Sequence, residues 1–120
     1  MRISEAAARS GLSIDTIRYY ERTGLAPPAG RGADGQRRFS SENVEWLTLL
    51  ASLRETRMPM KQMRRFAWLY QQGHASVAER KRMLLEHADH LERQRAALDR
   101  CAELLRYKLA KYDEIMGDGA

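Results

Sequence analysis

Residues 13–21 read Ser13-Ile14-Asp15-Thr16-Ile17-Arg18-Tyr19-Tyr20-Glu21. Ser13 is a residue type that caps a helix, because its hydroxyl can accept a hydrogen bond from an orphan backbone N–H of the first turn. Ile14 and Ile17 stand three apart and share one face of that helix. Arg18, Tyr19 and Tyr20 leave it on other sides. A helix divided in this way can pack one side on its own domain and lay another against nucleic acid. Upstream, Ser4 to Ser10 read as a first short helix, with Glu5 suited to its positive end and Ala6, Ala7 and Ala8 as strong helix formers. Gly11 stops it where a left-handed residue is needed. The spacing of Ala7, Gly11 and Ile17 is that of a helix-turn-helix: a small residue where helices touch, Gly in the tight turn, an apolar residue packing the second helix back.

Downstream the texture changes. Pro27, Pro28, Gly30, Gly32 and Gly35 lie among Arg31, Arg37 and Arg38, which forbids a helix between Leu25 and Phe39. Asp34-Gly35 between basic residues predicts a short hairpin. A basic hairpin beside a recognition helix is a wing that follows phosphates or the minor groove; the alternative is a charged linker. Ser40 is expected to cap a third helix reaching about Thr56, with Asn43 at the capping-box position. Its apolar residues, Val44, Trp46, Leu47, Leu49, Leu50 and Leu53, cover most of the circumference, so it is read as a buried pillar. Met58-Pro59 breaks it. A fourth helix is predicted from Met60 to Gln72, ended by Gly73, with Met60, Met63, Phe66, Ala67 and Tyr70 as its core stripe. Trp68 falls off that stripe, either stacked on Arg64 or facing a partner.

From Ser76 to Met116 there is no Pro and no Gly. Val77, Leu84, Leu91, Leu98, Leu105 and Tyr112 fall seven apart, with Lys81, Ala88, Arg95, Ala102 and Leu109 as the companion row. This heptad seam predicts a two-stranded coiled coil roughly 60 Å long. The expected division is a DNA-binding domain at 1–73, a dimerising helix at 74–116 and a polar tail at 117–120. Leu84, Leu91, Leu98, Leu105, Leu109 and Tyr112 are the expected dimer contacts.

Charge agrees with this division. The chain of 120 residues carries a formal charge of +5. Residues 1–70 hold 12 Lys and Arg against 7 Asp and Glu, whereas residues 71–120 hold 9 against 9. The excess therefore lies wholly in the first part, and eleven of its twelve cations are Arg, the side chain that forks onto phosphate and guanine edges. Such clustering is the electrostatic footprint of a nucleic-acid binder. One cysteine, Cys101, leaves no internal disulfide and fits a reducing compartment. With no signal-peptide core and no apolar run near the roughly 20 residues of a membrane span, the expectation is a cytoplasmic protein without a membrane partner. There is no P-loop, no dinucleotide turn and no zinc-spaced Cys pair. His87 and His90 lie one turn apart, but Cys101 is about three turns beyond, too far for one site in a single chain. No metal, no cofactor and no enzymatic activity are expected.

The run Ile17-Arg18-Tyr19-Tyr20-Glu21, then Gly24-Leu25, Pro28 and Arg37-Arg38-Phe39, resembles the MerR family of bacterial transcription regulators, and the likeness spans essentially the whole chain. The resemblance implies a mainly α fold: a winged helix-turn-helix domain followed by a long dimerising antiparallel coiled-coil helix. It implies a homodimer on a pseudo-palindromic operator in an over-long promoter spacer, which the dimer bends and untwists in response to an effector so that RNA polymerase engages both promoter elements. Carried over, Arg18 and Tyr19 meet bases or nearby phosphates, Thr16 and Tyr20 bond phosphates, and Arg37 and Arg38 hold backbone from the wing. Phe39, lacking a hydroxyl where the family has Tyr, is read as core. The chain departs from the family in its effector region. The cysteine-bearing loop of metal sensors, the cysteine cluster of iron–sulfur sensors and a large-ligand domain are all missing, and Ser52 stands where a thiol-sensing branch has its cysteine. Cys101, a small ligand, or no effector at all remain open. The alternative function is an architectural or excisionase-like DNA binder without effector response; a third is a coiled-coil adaptor for acidic protein.

Overall fold

In the computed structural model, which describes residues 1–118, the elements run α1 (Ile3–Ser10), α2 (Ile14–Thr23), β1 (Gly30–Arg31), β2 (Arg37–Arg38), α3 (Ser41–Glu55), α4 (Met60–Gln71), a 3-10 turn (Gly73–Ser76) and α5 (Val77–Asp118). The chain forms two compact units, Met1–Met83 and the part from Leu84 onward.

The first unit is built from its caps. Gly11 takes φ 80°, and its N–H donates to the Ala7 carbonyl at 3.1 Å, ending α1. A side chain there would be strained by the left-handed backbone alone. Two residues later Ser13 accepts from the Thr16 N–H at 3.0 Å and starts α2. Ser40 and Asn43 close a full capping box on α3, each side chain bonding the other's backbone N–H, at 3.0 and 2.9 Å. Reciprocal satisfaction of two orphan donors fixes where the wing ends and α3 begins.

Arg57 has φ 70°, its N–H donates to Arg54 O at 3.1 Å, and the Met58 N–H reaches back to Leu53 O at 2.9 Å. That is a Schellman motif with arginine in the position usually given to glycine. Leu53 and Met58, the residue positions whose apolar contact commonly accompanies this motif, are both buried. Pro59 then stands as the residue before α4.

α1 packs on α2 and α3, and α3 on α4. Ile17, Leu47, Leu50, Met58, Met63 and Phe66 are the largest fully buried side chains, each contributing about 1.5–3 kcal/mol of transfer free energy. Trp46 lies between layers: its indole N–H donates to Leu25 O at 2.9 Å, and its ring stacks on Phe66 (5.3 Å) and Tyr70 (4.1 Å). The pillar reading of α3 holds for Trp46, Leu47, Leu50 and Leu53, with Val44 and Leu49 half-buried. The stripe of α4 is Met63, Phe66, Ala67 and Leu69; Met60 and Tyr70 are only half-buried. Tyr70 keeps its hydroxyl on Glu42 at 2.8 Å and its face under Arg80, so its polar tip faces outward.

The start of α5 belongs to the first unit. Arg65 pairs with Glu79 at 2.8 Å, and Arg80 donates to Ser76 Oγ at 2.9 Å and to the Gly73 carbonyl at 3.2 Å. The compact unit thus reaches ten residues past the expected boundary at 73, to Met83. In the second unit α5 is one uninterrupted helix through Gly117 to Asp118, where a tail was expected from 117; the rest of that tail lies outside the described residues. Leu84 and Leu91 are half-buried, whereas Leu98, Leu105, Leu109 and Tyr112 are exposed on the single chain. No helix among the described residues is long and apolar enough to cross a membrane.

Candidate nucleic-acid interface

α2 turns Ile17 and Tyr20 inward and Arg18 and Tyr19 outward, as a repeat of 3.6 residues requires. Arg18 has only a long 4.0 Å approach to the exposed Asp15, a pairing of negligible strength. Tyr19 is exposed, with the Arg22 guanidinium 5.9 Å from its ring centre. Thr16 is half-buried and accepts a hydrogen bond from the Ser13 hydroxyl at 2.8 Å, so it serves the cap as well as the surface.

Tyr20 differs from the expectation that it bonds phosphate. It is 4% exposed and part of the core, and burial pushes its hydroxyl pKa up from 10.0, against the opposing charge of Arg54. One position along the helix from Tyr19 is a rotation of about 100°, enough to carry a ring from water to interior. Phe39 is buried as read.

The wing is a two-stranded antiparallel hairpin with Gly30 opposite Arg38 and Arg31 opposite Arg37. Gly35 takes φ 78° at its tip. At its base, the Phe39 N–H donates to Met1 O at 2.6 Å, so the first residue lies alongside and brings Arg2 to the wing. The wing arginines are not all free fingers. Arg31 donates to Gly35 O at 2.7 Å, and Arg38 pairs with Asp34 at 2.7 Å. The Gln36 N–H, foremost, and Arg38 hold the Asp34 carboxyl below its ordinary value. Gly32 lies close under this pair: a Cβ there would stand 3.1 Å from Arg38 Cγ, so the arginine side chain would have to shift by a few tenths of an ångström. Arg37 bonds Glu21 of α2 at 2.6 Å. Each guanidinium has five donors, so these contacts orient it and leave N–H groups for a phosphate.

Two clefts result. One, of about 560 Å³, is lined by Arg2, Arg18, Arg31 and Arg37 together with Ile3, Ser4, Gly35 and Gln36. The other, of about 340 Å³, is lined by Arg18, Arg22, Arg31, Arg37, Glu21, Pro28 and Ala29. Arg18, Arg31 and Arg37 line both. Concave arginine clusters focus positive potential and suit the spaced charges of a nucleic-acid backbone. Arg2, Arg22 and Glu21 join the site although the sequence pattern alone does not mark them. The carboxylate one turn beyond Arg18 was the available signal.

The MerR HTH family regulatory protein model matches residues 1–67, and the model described as MerR, DNA binding matches residues 44–107. The chain belongs to the MerR family. It is 36% identical over 117 residues to an uncharacterized HTH-type transcriptional regulator of Haemophilus influenzae, covering 98% of this chain and 87% of that one. Against the HTH-type transcriptional regulator CueR of Escherichia coli O157:H7 it is 31% identical over 93 residues, 78% of this chain and 69% of that one. Its fold is similar to that of HiNmlR, a MerR family regulator lacking the sensor domain and bound to promoter DNA, with a TM-score of 0.84 and 35% identity over 99% of this chain and 94% of that one. The winged helix-turn-helix followed by a long C-terminal helix is thus the family's architecture, and these relatives are transcription regulators, not enzymes.

Cys101 is exposed on α5, and Ser52 is exposed on α3. Among the described residues no three His, Cys, Asp or Glu side chains gather as a metal site.

Proposed function

We propose that this chain acts in the cytoplasm as a homodimeric transcription regulator on a pseudo-palindromic site in a promoter spacer. The observation that carries the reading is that Arg18 and Tyr19 emerge from α2 beside arginine-lined clefts that continue onto the wing. α2 enters the major groove with Arg18 and Tyr19 at base edges or adjacent phosphates. Thr16, Arg37, Arg38 and Arg2 hold the backbone and set register, since most contacts in such interfaces position and only a few specify. Residues 1–73 carry DNA binding and 74–116 carry dimerisation. Leu84, Leu91, Leu98, Leu105, Leu109 and Tyr112 form the antiparallel seam with a second copy; the exposed leucines of α5 support it. Two half-sites held by one coil favour a distorted spacer, at a deformation cost of about 1–6 kcal/mol repaid by contacts, through which RNA polymerase responds. The likeness to HiNmlR, a MerR family regulator lacking the sensor domain and bound to promoter DNA, supports promoter binding by this architecture, and control of transcription in response to an effector is part of the proposal.

The test is selection of bound fragments from genomic DNA with purified protein at moderate salt, with sedimentation to count subunits. A single inverted repeat between promoter elements, bound by a dimer, is the expected result. Sequence-blind or extended coverage would overturn it in favour of an architectural DNA binder.

A further inference from the structure

Glu21 is an acidic residue among guanidiniums. It lies on the last part of α2, its side chain 7% exposed, and both carboxylate oxygens are used. Oε1 accepts from Arg37 of β2 at 2.6 Å, and Oε2 accepts from the Ala29 backbone N–H at 2.9 Å, just ahead of β1. One side chain therefore holds the entry of the wing and an arginine on its return strand. Arg18, Arg22 and Arg31 line the same cleft. A carboxylate here lowers the positive potential that attracts any nucleic acid, so general affinity is not what it serves. Its geometry does something else: it fixes the guanidinium of Arg37 relative to Arg18, one turn back on the same helix.

We propose that Glu21 is a positioning residue that sets the span between the base-reading helix and the wing, and so raises discrimination between the operator and other DNA. The proposal rests on the regulator reading above. A complex in one register needs Arg18 and Arg37 to be satisfied together, and an arginine ordered in advance does not lose its rotamer freedom on binding. Sequence-blind binding has no such requirement. It follows net charge, and Glu21 diminishes it.

The experiment measures dissociation constants of wild type, Glu21→Gln, Arg37→Ala and the double variant over a salt series. The probes are the duplex enriched by the genomic selection and the same duplex with its sequence shuffled. Glu21→Gln keeps an oxygen for the Ala29 N–H and loses the charge on Arg37. The expected result is a roughly 2- to 10-fold loss on the selected duplex, the scale of one side chain's ordering. The shuffled duplex should be bound equally or more tightly. In the Arg37→Ala background the same change should leave the ratio of the two affinities unaltered. A merely structural defect lowers both affinities by one factor, and that outcome would overturn the proposal. A fall in the ratio that persists without Arg37 would overturn it as well. If wild type itself does not distinguish the two duplexes, the regulator reading fails and the proposal fails with it. If wild type does distinguish them and Glu21→Gln keeps the same ratio, only the role of Glu21 is lost.

Discussion

Replacing Leu98 with Ala should weaken self-association far more than the same change at Leu104. The two side chains are almost equally open on the single chain, 70% and 68% exposed. Six residues of helix separate them, a rotation of about 120°, so Leu98 lies in the heptad row and Leu104 does not. Full burial of a leucine is worth about 1.5–3 kcal/mol. With some two thirds of Leu98 left to cover, one copy contributes about 1–2 kcal/mol. A two-fold interface counts each substitution twice, giving about 2–4 kcal/mol per dimer, or roughly a 30- to 700-fold rise in the dimer dissociation constant. Sedimentation equilibrium over a range of protein concentrations reads this directly. Leu104→Ala, equally apolar and equally exposed, should stay within about threefold of wild type. If the two variants weaken the dimer alike, or neither does, the seam is not the row at 84, 91, 98, 105 and 112, and the coiled-coil reasoning is wrong.

Other outcomes are as definite. Arg18→Ala should abolish preference for the selected duplex over its shuffled form. Arg2→Ala should weaken both alike and flatten the salt dependence by about 0.9 in log–log slope, one phosphate's worth; a sequence-selective effect of Arg2→Ala would contradict its placement on backbone. Arg57→Gly should raise the thermal midpoint by a few degrees, because relief of about 1–2 kcal/mol of left-handed strain exceeds the 0.5–1 kcal/mol entropic cost of glycine; a lowered midpoint would show that the arginine side chain holds the turn. Asp34, its pKa held down in the folded wing, supports the hairpin fully above its ordinary value of 3.8, and that support goes as pH falls through the lower folded value. Amide shifts of Gly35 and Gln36 should therefore titrate below 3.8 and lose this transition in Asp34→Asn; a midpoint at or above the ordinary value would refute the bond.

Much of the fold could be read locally because its punctuation is local. Ser13, Gly11, the Ser40–Asn43 box and Asp34-Gly35 each act within four residues, and a single residue type suffices to identify the turn. What escaped depends on side-chain partners or on an exact helical angle. Nothing near Arg57 announces a left-handed residue, since the turn is closed by backbone hydrogen bonds from Arg57 and Met58 to Arg54 and Leu53. On α4, Leu69 is buried while Tyr70 is only half-buried, its ring stacked on Trp46 and its hydroxyl reaching Glu42. The basic wing was legible as charge, but the partners of its arginines were not. Glu21, Asp34 and the Gly35 carbonyl assign each of them a direction, and only the folded hairpin brings those groups together. Trp68, expected beside Arg64, has the Arg65 guanidinium 5.4 Å from its ring centre instead.

The two tryptophans also equip the protein with its own optics. Trp46 is sealed between Phe66 and Tyr70, with its indole N–H on a backbone carbonyl, while Trp68 is 53% exposed on the outer side of α4. One fluorophore is screened from solvent and the other is bathed in it. A soluble quencher will therefore extinguish the emission of Trp68 and leave a residual, shorter-wavelength signal from Trp46. The red component reports what approaches α4, and the blue component reports whether the layer joining Leu25 to α4 is intact, so association and unfolding can be followed in one unlabelled sample.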